Sequence, residues 1–136
     1  MITSADQWDT ARWYNFSATE FACSHCNGLN VSPIVLDFLQ SYRTHLGKGV
    51  SVNSGYRCAE HNNSVSSTGD NGPHVTGLGI DISTDTQTQY QLLRFAFHYD
   101  PRPMGIGIAK TFTHLDWCTV DQDEKFVVRP NVWRYA

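Results

Sequence analysis

Ile34, Val35, Phe38, Leu39, Tyr42 and Leu46 recur at helical spacing and predict one amphipathic helix. Ser32 reads as its N-cap, Pro33 occupies the first helical position and Gly47 closes it. Upstream, Ser17-Ala18-Thr19-Glu20 has the form of a capping box for a short helical turn. Downstream, Val50 to Asn53 reads as a short strand ending at Ser54-Gly55. From Cys58 to Pro73 the chain is polar and predicts a long loop, with one helical turn near Glu60 to Asn63. Leu78 to Ser83 alternates as a core strand does. Thr86 is expected to cap a second helix that buries Leu92, Leu93, Phe95 and Ala96, with Pro101 and Pro103 ending it. Gly105 to Ala109 and Phe112 to Trp117 predict a strand pair turning at Lys110-Thr111. An edge strand is expected over Phe126 to Val128, and the tail from Pro130 to Ala136 carries Trp133 and Tyr135 to pack back on the body. No repeat interrupts this order. It predicts an α+β fold, a small mainly antiparallel sheet flanked by helices.

At 136 residues the chain fits one domain spanning 1–136, monomeric by default. Hydrophobic residues make up 40%, enough for a core without disulfide staples. A net charge of −3 with no basic run argues against a nucleic-acid partner, because phosphate binding needs a clustered basic face. No apolar stretch approaches the roughly 20 residues that span a bilayer. The first residues, MITSADQWDTARWYNF, lack the basic and apolar regions of a secretory signal peptide, so synthesis in the cytoplasm is expected. Cys23 and Cys26 form a C-x-x-C pair, with Cys58 and Cys118 elsewhere. Without an export signal a disulfide framework is not the default. The pair reads as reduced thiols in a turn near the core; a structural zinc on Cys23, Cys26, Cys58 and a fourth ligand is the other reading.

The candidate chemistry lies in GPHVTGLGIDIS and FTHLDW. His74, Asp81 and His114 offer two imidazoles and a carboxylate, the donor set of a catalytic zinc site with one position left for water. Such a site polarises a carbonyl and supplies hydroxide near neutral pH. Gly77 and Gly79 let the backbone turn tightly between the first two donors. His114 and Asp116 are two apart in an expected strand and therefore share a face. Taken singly, each of these residues is more commonly an ordinary polar side chain, so the argument rests on their combination.

Ser54-Gly55-Tyr56-Arg57, the polar loop, His74-Val75-Thr76-Gly77-Leu78-Gly79-Ile80-Asp81 and His114-Leu115-Asp116 resemble the zinc D-Ala-D-Ala peptidase family. That family includes carboxypeptidases, dipeptidases and phage L-alanyl-D-glutamate endopeptidases, and shares its fold with the Hedgehog signalling domain. The resemblance covers about residues 16 to 117. It implies a single catalytic zinc on His74, Asp81 and His114, and Arg57 as the group that grips the substrate and stabilises the oxyanion. Ser54 would hydrogen-bond near the substrate. Three positions depart from the pattern. Thr111 stands where several relatives place a Glu base, Phe112 where others place a His, and Gly72 where many carry Ser. Asp116 then either accepts the proton of the attacking water or orients a ligand imidazole. Asp70 and His61 are weaker candidates for the base.

The resemblance implies a zinc peptidase that cuts a bond involving a D-amino acid in peptidoglycan stem peptides, acting on the cell wall, for example as a phage endolysin or a virion-associated lysin. The alternatives are a peptidoglycan-binding or virion structural protein that keeps the fold without activity, and a polar pocket that holds no metal.

Overall fold

The computed structural model describes residues 1–119 and 128–135. Its first long helix, α1 (Pro33–Leu46), begins where the pattern places it. The Ser32 hydroxyl accepts from the Ile34 N–H at 3.3 Å, and Gly47 ends the helix in the left-handed region with its N–H on Arg43 O. Val35, Leu36, Phe38, Leu39 and Tyr42 are buried. Ile34, expected on that face, stands 40% exposed, and Leu36 is buried instead. The 3₁₀ turn Ala18–Glu20 forms behind Ser17, whose N–H is held by the Glu20 carboxylate at 2.7 Å.

The polar stretch after Cys58 is more ordered than its composition suggested. It holds α2 (Ala59–Val65), a 3₁₀ turn at Gly69–Asn71 and, starting at Pro73, the one-turn helix α3 (Pro73–Thr76). Side-chain bonds rather than apolar periodicity support it, as Asn62 illustrates below. Helix α4 (Thr86–His98) is capped by Asp85, not Thr86: the Asp85 carboxylate accepts from Thr88 N–H and the Thr88 hydroxyl lies 2.9 Å from Asp85 N. It ends before Pro101, at His98. Leu92 and Ala96 are fully buried, Leu93 and Phe95 partly.

Strands β1 (Val52–Ser54), β2 (Gly79–Ser83), β3 (Gly105–Ile108), β4 (Phe112–Asp116) and β5 (Asn131–Arg134) form one sheet in the order β1-β2-β4-β3-β5. Every pairing is antiparallel except β3 with β5. The tail was expected to pack back on the body; it does so as this parallel strand. The edge strand expected over Phe126 to Val128 lies mostly outside the described residues, and Val128 itself is not in a strand.

The sheet's alternation separates core from chemistry. Ile80, Ile82, Ile106 and Leu115 point into the apolar core. There Phe38 packs its ring 5.1 Å from Trp117 and 5.6 Å from Phe95, joining α1, α4 and the end of β4. The intervening positions, Asp81, His114 and Asp116 with Gly105 and Gly107, occupy the opposite face, where Asp81 pairs directly with His114. No helix among the described residues is long and apolar enough to cross a membrane.

Candidate metal centre

His74 is brought to the sheet by α3, whose four residues lie between Pro73 at the first helical position and Gly77 at φ 77°. A Cβ at Gly77 would stand 2.6 Å from Asn30 O, so neither the dihedral nor the space admits a side chain. The His74 ring is held from behind: Nδ1 lies 2.7 Å from the Gly55 carbonyl. A carbonyl only accepts, so Nδ1 carries the hydrogen and Nε2 is the free donor atom. That Nε2 faces Asp81 Oδ1 at 3.2 Å.

His114 approaches the same oxygen from β4, with Nδ1 2.8 Å away. The donor atoms of His74, Asp81 and His114 all lie within 4.8 Å of one another, and all three residues are buried. Two imidazoles and a carboxylate, each anchored by its own strand or helix, fit a zinc ion of the open, hydrolytic kind.

Behind His114 stands a second carboxylate. Asp116 Oδ2 is 2.9 Å from His114 Nε2, and Arg129 closes on both Asp116 oxygens, Nε to Oδ1 and Nη2 to Oδ2, each at 2.9 Å. The Cys118 N–H also donates to Oδ1. Asp116 is completely buried and does not line the cleft described below. Gly105 makes room for it, since a Cβ there would run into the Asp116 carboxyl group.

These contacts set the charges. Burial opposes ionisation of His114, but the carboxylates of Asp116 and Asp81 outweigh it and raise its pKa to about 9. Burial lowers the His74 pKa and keeps that ring neutral, despite Asp81. Burial alone would raise both carboxyl groups. The two histidines hold Asp81 well below the usual carboxylate range, and His114 and Arg129 lower Asp116.

Arg57 completes the group. Its Nη2 is 3.3 Å from Asp81 Oδ2, Nε donates to Ser54 Oγ at 3.2 Å and Nη1 to Asn62 Oδ1 at 3.3 Å. Asn62 is fully buried, and its amide donates to Thr68 Oγ1 and Gly69 O, both at 2.8 Å. It thus braces Arg57 while ordering the polar stretch. Sequence reasoning missed Asn62, because nothing separates it from the neighbouring Asn and Ser residues of that stretch.

The triad and Arg57 open onto a cleft of about 780 Å³. Ser66 and Thr68 line it from the connection after α2; Trp133 and Tyr135 line it from the tail, with Trp133 ring to ring with His114 at 5.4 Å. Both aromatic residues were expected only to pack, and Arg129 was not singled out at all. A tail that joins the sheet by parallel pairing has no local pattern that announces it. Asp70 is exposed and bonded to Asn63, and His61 stacks on His25; neither lines the cleft. Thr111 lies exposed at the turn before β4. The departure at Gly72 has a local cause, since a side chain there would collide with Thr68.

The sequence pattern that defines the family Peptidase M15 matches residues 14–116. The chain belongs to the peptidase M15 family. Its matched segment carries the His74, Asp81 and His114 cluster, in keeping with a carboxypeptidase-like zinc site. No curated protein sequence matches the chain.

The remaining chemistry-bearing residues are the cysteines. Cys23, Cys26 and Cys58 are free thiols, and they come together.

Proposed function

We propose that this M15 family member is a zinc-dependent peptidase, working as one domain over 1–136, that hydrolyses a bond involving a D-amino acid in peptidoglycan stem peptides. The observation that carries the reading is the convergence of two imidazoles, one carboxylate and an arginine on a single cleft. His74, Asp81 and His114 would hold the zinc, which when bound polarises a carbonyl and lowers the pKa of water.

The chain's own groups divide the remaining work. The Gly55 carbonyl fixes the tautomer of His74, so that Nε2 is presented to the centre. Arg57, its guanidinium aimed by Ser54 and Asn62 and partly open to the cleft, would bind the scissile carbonyl oxygen or a neighbouring carboxylate and stabilise the developing oxyanion. Ser54 acts here through Arg57. Asp116 was open to two roles, and its geometry favours the second. Enclosed behind His114 and engaged by Arg129, it orients the ligand imidazole and strengthens its basicity rather than receiving a proton from the cleft. Trp133 and Tyr135 offer flat apolar surface to a peptide lying along the cleft.

A second reading, a peptidoglycan-binding protein that retains the metal without turnover, draws on one observation. Among the described residues, Asp81 is the only carboxylate that lines the cleft. Mass spectrometry of stem-peptide fragments incubated with zinc-loaded protein separates the two. A defined mass loss that disappears in His114→Ala supports the peptidase, and unchanged fragments bound by zinc-loaded protein would replace it with the binding reading.

A further inference from the structure

The Cys23, Cys26 and Cys58 sulfurs lie within 4.8 Å of one another, well away in sequence from the triad, and the mechanism uses none of them. We propose that these three thiolates, with one imidazole of the stacked pair His25 and His61, form a second, structural site for a zinc-type ion.

The geometry of the cluster supports metal rather than chance proximity. Each sulfur receives a backbone N–H: Cys58 N on Cys23 Sγ at 3.4 Å, Gly28 N on Cys26 Sγ at 3.3 Å and His61 N on Cys58 Sγ at 3.4 Å. Neutral thiols are weak acceptors, so three donors collected on three sulfurs suit negative thiolates. The turn is built for this purpose. Cys23 N bonds Gly28 O, Asn27 N bonds Cys23 O, and Asn27 sits at φ 60°. These bonds bend Cys26 back over Cys23.

The fourth donor is at hand. His25 Nδ1 is 3.4 Å from Cys58 Sγ, and the His61 ring lies parallel to His25 at 6.0 Å, with Nε2 near Ser24. Three sulfurs and a nitrogen make a closed tetrahedral set, which selects zinc over harder divalent ions. Disulfide bonding cannot use all three thiols, because one is always left over. Metal binding can, with the thiol protons released to solvent.

The site would act as a staple. Cys58 follows Arg57 directly and caps α2 with its sulfur. Cys23 and Cys26 belong to the segment whose Phe21 carbonyl holds Tyr56 N at 2.8 Å. An ion bridging the two segments would fix the backbone from which Arg57 reaches Asp81.

The test is metal content and cobalt absorption of the full chain, purified without oxygen. Two zinc ions per chain are expected. Cobalt substitution should give the strong near-ultraviolet absorption of thiolate-to-cobalt charge transfer. That absorption should persist in His114→Ala, vanish in Cys26→Ser/Cys58→Ser, and weaken in His25→Ala/His61→Ala. Because the cobalt spectrum reports thiolate ligation alone, it stands whether or not the triad binds metal or cleaves peptide. Wild-type protein without charge-transfer absorption overturns the proposal, as does a metal-free chain in which peptide mapping finds a disulfide between two of Cys23, Cys26 and Cys58. Neither readout depends on how well a variant folds, since both are made on the wild-type chain.

Discussion

Asp116 holds His114 from the side away from the metal centre: Oδ2 meets Nε2 at 2.9 Å while Nδ1 faces Asp81. On the proposed reading Asp116 is a positioning group, and Asp116→Asn tests it. The amide keeps the shape but loses the charge that supports the imidazole and the ion pair with Arg129. Zinc affinity should fall by about 10 to 100-fold, as for other partners of ligand histidines. A chelator competition titration measures it. Unchanged zinc affinity with abolished cleavage would return Asp116 to the role of base.

Arg57 should behave in the opposite way. Arg57 contributes no donor atom to the triad, although its guanidinium pairs with Asp81 Oδ2, so in Arg57→Gln zinc content should remain that of the wild type. If Arg57 stabilises the oxyanion, kcat should drop by about 10² to 10³-fold. Steady-state kinetics on stem peptides at equal zinc occupancy provide the comparison.

The raised pKa of His114 makes metal uptake pH-dependent. Near neutral pH the metal-free ring, at about 9, carries a proton that zinc must displace. Loading should release about one proton per chain and tighten about tenfold per pH unit up to that value. Calorimetry in buffers of different ionisation enthalpy counts the protons. The Cys26→Ser/Cys58→Ser background keeps thiol protons out of the count. The stability of the metal-free fold runs with the opposite sign. A pKa raised above the ordinary 6.5 contributes stability to the metal-free fold that is full below 6.5 and lost as pH rises through about 9. The melting temperature of the metal-free protein should fall across that interval.

Gly105 and Gly107 are spacers for the chemical face of the sheet. A Cβ at Gly105 strikes the Asp116 carboxyl group, and one at Gly107 comes within 2.7 Å of Tyr135 and 3.0 Å of His114. Gly105→Ala should therefore destabilise the fold by about 1 to 3 kcal/mol, as overpacking does. Gly49→Ala, where nothing lies within 4 Å, is the control. Thermal unfolding of the two variants checks the contrast.

Much of the site was legible because its donors sit at short, fixed offsets. His74 and Asp81 are seven apart across two glycines, and His114 and Asp116 alternate within one strand. The helix α1 was legible because capping and periodicity agree at Ser32, Pro33 and Gly47. The pattern predicts Thr86 as the cap of α4 whereas Asp85 does that work, since either residue satisfies it locally. The segment from Cys58 to Pro73 predicts a loop with one helical turn near Glu60 to Asn63, which α2 extends; the rest of its order comes from Asn62, whose partners are side chains and carbonyls with no periodic signature.

What the sequence determined by itself is therefore whatever depends on local geometry: the helices α1 and α4, the core-facing alternation of β2 and β4, and the candidate donors His74, Asp81 and His114. Only the tertiary structure decided the tasks of residues that meet across the sheet. Arg129 closes on Asp116, Trp133 and Tyr135 join the cleft, and Cys58 comes to Cys23 and Cys26. The first two meetings depend on strand register and on the parallel return of the tail, and the third on the backbone bond from Tyr56 N to Phe21 O; these are set by packing over the whole core and leave no trace in spacing along the chain.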